Sequence, residues 1–171
     1  NLNASLILGG REKETSQIIK TIQTPSIIAI QSSSREESLA FSLSCFINQP
    51  SEKDKLLSKC FIIDSPSSFR KLIDKNDQLI LIPRFEESEI INLALKKGHT
   101  VIIPIGLDNT INWELKIVLP PLDRDKFVNS LVESGFDKNQ SEKLSIESAR
   151  NITILRRQLK LSRTIPQWAS S

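Results

Sequence analysis

Ser26-Ile27-Ile28-Ala29-Ile30-Gln31-Ser32-Ser33-Ser34-Arg35-Glu36-Glu37 is the stretch on which the reading of the fold turns. Its first five residues are short, apolar and rich in β-branched side chains, which predicts a strand over 26–30. A polar turn follows, with neither glycine nor lysine, and a helix is expected over 35–47. Ser34 is its expected N-cap, and Leu39, Leu43 and Phe46 lie on one side. Pro50 closes it. A buried strand feeding through a short turn into a helix is the unit from which parallel α/β sheets are built.

Working outward, the alternation repeats. Upstream, Gly9-Gly10-Arg11-Glu12 reads as a turn into a helix carrying Ile18, Ile19 and Ile22, which Pro25 ends. Downstream, strands are expected at 60–63, 79–82, 100–103 and 116–119. Asp64-Ser65-Pro66 opens a short helix with Phe69, Leu72 and Ile73, and Asp64 is read as its cap. A second helix over 86–97 ends at Gly98, which suits a left-handed C′ residue. Past Pro120-Pro121 the pattern becomes helical only, with helices expected over 122–134, 138–149 and 151–161. The expectation is an α/β fold, a parallel sheet of about five strands flanked by helices over 1–120. A small C-terminal helical, lid-like bundle follows over 121–171. Trp168 is read as an anchor on that bundle.

Composition narrows the classes. The 39% apolar and 25% charged content is that of an ordinary globular domain, and 171 residues are enough to bury a real core. No apolar run approaches the ~20 residues of a membrane span, and no signal-peptide pattern opens the chain, so a cytoplasmic setting without a membrane partner is expected. Methionine is absent even from position 1, which reads as a piece of a longer protein. Cys45 and Cys60 lack metal or disulfide spacing, and Cys45, between Leu43 and Phe46, reads as a buried apolar residue. No metal or cofactor site is expected. His99 has no partners for a catalytic triad and reads as structural or surface.

The net charge of +3 is unevenly placed. Residues 1–120 hold 14 basic and 14 acidic side chains, whereas Arg150 to Arg163 hold 5 basic and none acidic, so the excess lies in the last helical stretch. Arg150, Arg156, Arg157, Lys160 and Arg163 form a basic stripe that suits a solvated face, an acidic protein partner or nucleic acid. Arg150 and Arg157, seven apart, are expected on one helical face. Ser32, Ser33 and Ser34 lie at a helix N-terminus, where N–H donors favour anions; capping of the turn is the competing reading.

Three segments carry a family resemblance. They are Gly10-Arg11-Glu12, then Leu119-Pro120-Pro121-Leu122 with Asp125-Lys126-Phe127, and Ser148-Ala149-Arg150-Asn151-Ile152 running to Leu155-Arg156-Arg157. In this layout the chain resembles AAA+ and STAND-type P-loop ATPase modules, with a lead-in helix, a five-stranded core and a helical lid. The resemblance implies a phosphate site built from the turn, Ser32, Ser33, Ser34 and Arg35, with a lid arginine, Arg150 or Arg156, pointing back at it. The chain departs from the family at both catalytic motifs. The turn lacks the glycines and lysine that wrap phosphate. The third strand runs into Pro83-Arg84, where the family carries the acids that hold Mg²⁺.

The function expected is therefore a non-catalytic P-loop-like regulatory or scaffolding module within a larger protein, of the kind that STAND-type relatives supply in bacterial signalling and defence. Its partners would be neighbouring domains or other proteins. Two other readings stand beside it: a nucleotide or anion sensor that binds without hydrolysis, and a nucleic-acid-binding module using the Arg150–Arg163 helix.

Overall fold

Among the described residues of the computed structural model, 6–164, five strands form one fully parallel sheet in the order β2-β3-β4-β1-β5. The strands are β1 (Ile27–Gln31), β2 (Cys60–Ile63), β3 (Ile80–Pro83), β4 (Thr100–Ile105) and β5 (Lys116–Val118). The helices are α1 (Glu12–Thr21), α2 (Arg35–Ile47), α3 (Lys53–Ser58), α4 (Pro66–Ile73), α5 (Ser88–Lys96), α6 (Arg124–Glu133), α7 (Lys138–Glu147) and α8 (Ile152–Thr164). The expected α/β class, with helices flanking a parallel sheet and following its last strand, is what the structure has. The Trp168 reading falls outside the described residues, and so does the side chain of Arg163.

The alternation of side chains along the strands divides the core in two. On one face Ile28 and Ile30 of β1, Ile80 and Ile82 of β3 and Ile117 of β5 pack under α1, α2 and α3. Phe127 and Leu131 of α6 and Ile152 and Leu155 of α8 belong to the same cluster. On the other face Ala29, Leu81, Val101 and Ile103 meet Phe69 and Ile73 of α4 and Ile90, Ile91 and Ala94 of α5. Burying each large apolar side chain contributes about 1.5–3 kcal/mol, so both faces hold the sheet.

Element ends follow local chemistry. Ser34 caps α2, accepting the Glu37 N–H at 3.1 Å. Gly98 and Gly135 close α5 and α6 at φ 89° and 108°. In each case the next residue donates back to the helix, His99 N–H to the Ala94 carbonyl at 3.1 Å and Phe136 N–H to that of Leu131 at 3.2 Å.

Several details differ from expectation. The connection after Pro50 contains α3, which has too few apolar residues to show a helical period. Asp64 does not cap α4: Ser65 does, accepting the Ser68 N–H, while Asp64 is exposed and 3.4 Å from Arg84 Nε. β4 runs on through Pro104 because the β3–β4 ladder ends at Leu81↔Val101, leaving no partner that would need the missing N–H. Finally, α7 stops at Glu147, and Ala149 and Arg150 take left-handed φ of 50° and 56°. Arg150 thus precedes α8 and shares no helical face with Arg157.

Among the described residues no helix is long and apolar enough to cross a membrane.

Candidate functional site

The sheet order places β1 between β4 and β5. The link after β1 is α2, which packs on one face. The irregular segment 106–115 after β4 brings Trp113 to the other. In open parallel sheets the crevice outside the strand ends, where links diverge in this way, is the usual ligand position. A cavity of about 430 Å³ lies there. Ser32 and Ser33 line it from the β1–α2 turn, Leu119 and Pro120 from the chain after β5, and Arg150 from the α7–α8 turn.

Its inner wall is an ion pair. Arg11 and Glu37 are 2% and 6% exposed, and Arg11 Nη2 donates to Glu37 Oε1 at 2.9 Å. Each of the other two guanidinium nitrogens also donates, Nε to the Pro120 carbonyl at 3.0 Å and Nη1 to the Ile7 carbonyl at 3.2 Å. The guanidinium carbon lies 5.9 Å from the Phe41 ring centroid. Ser33 Oγ donates to the second Glu37 oxygen. A buried charge is tolerated only when paired and hydrogen-bonded, and both charges here are. Gly10, at φ 79°, lets the N-terminal turn approach closely enough for this: a Cβ there would stand 2.9 Å from that of Asp123.

The β1–α2 connection is three residues, Ser32–Ser34, where the P-loop pattern spans eight. Ser33 is exposed, while the hydroxyls of its two neighbours are used internally. Ser32 Oγ donates to the Ser34 carbonyl at 2.8 Å and lies 2.7 Å from Ser38 Oγ, which in turn donates to the Ile105 carbonyl at 2.9 Å. Ser34 Oγ is taken by the helix cap.

The remaining candidates scatter. Arg35 does not line this cavity; its Nη2 lies 3.3 Å from Glu86 Oε1. It lines a separate cleft of about 280 Å³ with Arg84, Pro83 and Pro104, opened where β3 and β4 part. Arg156, Arg157 and Lys160 are exposed along α8 and line none of the cavities described here. Arg150 does reach the crevice. Its Nε is buried without a hydrogen-bond partner, and none of the ion pairs among the described residues includes it. With Arg11 and Glu37 cancelling, the cavity wall carries one uncompensated positive charge.

His99 proves structural. It is fully buried, with Nδ1 accepting the Leu79 N–H at 3.1 Å and Nε2 at 2.9 Å from the Ile73 carbonyl, so it fastens the end of α4 to the starts of β3 and β4. Among the described residues no group of three or more His, Cys, Asp or Glu is placed to hold a metal ion.

The sequence reading quoted Arg11 in the lead-in segment and Glu37 at the start of a helix, but made neither a site residue and did not pair them. A signal existed: Glu37, Phe41 and Cys45 recur every four residues and so share the core-facing side of α2, where a carboxylate requires a buried partner.

None of the protein-family models compared matches this chain, and no similar sequence was found among curated proteins.

Proposed function

We propose that this chain is a non-catalytic P-loop-like module of the AAA+ or STAND kind, acting as a scaffolding or regulatory element inside a larger protein. The observation that carries the reading is the Arg11–Glu37 pair, which stands at the crevice where an active relative would hold phosphate. The two charges of the pair are spent on each other, so it gives phosphate no net attraction. A three-residue turn without glycine offers few N–H groups to wrap it. At the end of β3, Arg84 replaces the acids that would hold Mg²⁺. The pair ties three segments together, the N-terminal turn, α2 and the Pro120 junction, which is what a module relaying geometry between neighbours requires.

The test is direct. The chain is expected to release no phosphate from Mg-ATP or Mg-GTP and to give no saturable heat with either in titration calorimetry. Turnover that is lost on substituting Ser33 or Glu37 would remove the proposal.

One observation favours a second reading, an anion sensor without hydrolysis: the unpaired Arg150 at the cavity wall. That reading expects heat with a phosphate compound in the absence of Mg²⁺, abolished by Arg150→Ala. Heat unchanged in that variant excludes it.

A further inference from the structure

The two edges of the sheet are treated differently. β5 is three residues long, carries Lys116, and runs into Pro120-Pro121, the devices that keep an edge strand from pairing with another chain. β2, at the other edge, is also short, at four residues, but carries no charge within the strand. Cys60-Phe61-Ile62-Ile63 contains no charge and no proline, and Phe61 and Ile62 remain 37% and 40% exposed.

Its backbone is available as well. The carbonyls of Lys59 and Ile63 accept from Ile80 and Arg84 N–H at 2.8 and 2.9 Å, so the odd-numbered residues of β2 turn toward β3. Cys60 and Ile62 therefore direct their N–H and C=O groups away from the sheet.

We infer that β2 pairs antiparallel with β2 of a second copy of this chain, joining two sheets into one across a two-fold axis at Ile62. In that register Ile62 faces Ile62 of the second copy as a hydrogen-bonded pair, and Cys60 faces Asp64 in the same way. Phe61 faces Ile63 on the α4 side of the sheet. Both exposed apolar side chains of the edge thus gain apolar cross-strand partners, the contacts that stabilise paired strands. Charge points to the same occupant. Lys59, at the start of the strand, has no ion pair among the described residues, and Asp64, at its end, is 81% exposed with a solvent-facing contact to Arg84 at 3.4 Å that leaves it open to a second cation. An antiparallel copy brings each Lys59 to the Asp64-Ser65 end of its partner, whereas a parallel one would set Lys beside Lys. A four-residue edge is a small contact, so the dimer is weak and concentration-dependent.

Light scattering on the size-fractionated 171-residue chain is expected to show its mass rising toward the dimer with concentration. Ile62→Lys should keep it monomeric with an unchanged circular dichroism spectrum. A cross-link gives a second readout. Hydrogen-bonded antiparallel pairs have Cα atoms about 5.5 Å apart, within disulfide reach. Ile62→Cys in a Cys60→Ser background should form a disulfide-linked dimer under mild oxidation, and Val118→Cys at the opposite edge should not. A chain that stays monomeric at every concentration, a dimer that survives Ile62→Lys, or cross-linking no greater than with Val118→Cys would each overturn the pairing.

Discussion

Arg11 donates to Glu37 at 2.9 Å across an interface that joins the N-terminal turn to the first turn of α2, and neither side chain is more than 6% exposed. Two opposite charges hidden together behave asymmetrically. Removing both can be nearly neutral, whereas removing one strands the other in a poorly solvated place.

Arg11→Met is accordingly expected to lower stability by about 3–5 kcal/mol, a large share of what holds a domain of this size together. Glu37→Leu should lose a comparable amount, and the double variant clearly less than the sum. Urea unfolding followed as a double-mutant cycle measures this coupling. Strictly additive losses would mean that the two charges are already solvated and that the crevice is not closed by them.

Ala149 occupies the C′ position of α7, with its own N–H on the Ile146 carbonyl at 3.1 Å and the Arg150 N–H on that of Ser145 at 3.2 Å. Gly98 and Gly135 fill the same position in α5 and α6, but here a Cβ is carried at φ 50°. Left-handed geometry penalises a side chain by about 1–2 kcal/mol, so Ala149→Gly should raise stability by about 1 kcal/mol after the extra chain entropy of glycine. A higher urea midpoint at constant slope is the expected signature. An unchanged midpoint would argue that the turn is relaxed in solution.

Removing the imidazole of His99 leaves the Leu79 N–H and the Ile73 carbonyl buried without partners. His99→Ala should therefore lower stability by about 2–4 kcal/mol through the lost bonds together with the cavity. Hydrogen exchange should quicken first at Leu79 and around the end of α4. Uniform acceleration across the sheet would contradict a local clasp.

Burial pushes the thiol of Cys45 up to about 12 and that of Cys60 up to about 11. Both are raised, so at pH 8 each is held as the protonated, weakly nucleophilic form, and thiolate appears only as pH climbs toward those values. Ellman's reagent should label the native chain slowly at pH 8 and fully once urea unfolds it. Rapid labelling of one equivalent in the native state would show that the Cys60 environment opens readily.

The sheet was legible because four of its strands are compact apolar runs and most of the long helices show an apolar face; α7 does not, burying Ser141 and Ser145 while Ile146 stays exposed. α3 was not, since Leu56 and Leu57 alone do not make a period, and its form comes from packing Leu56 into the core. Pro104 hid the end of β4, because a proline is compatible with a strand only where the neighbouring ladder has stopped, and that is a tertiary fact. At the site the absence of glycine and lysine was plain in the turn itself. The pairing of Arg11 with Glu37 was not, because it joins residues 26 apart through the approach of two segments. Arg150 was placed on a helix by its neighbours' spacing, and the turn that removes it depends on backbone angles that no residue there favours.

Phe127, Leu131, Ile152 and Leu155 share one cluster with Ile28, Ile30 and Phe41, with no solvent layer dividing the C-terminal helices from the sheet. Mechanical load applied to either end of residues 6–164 therefore meets a continuous body. Pulled apart by its termini, the chain should give way in a single rupture, and a hinge that swings the last three helices would have to tear apolar contacts first.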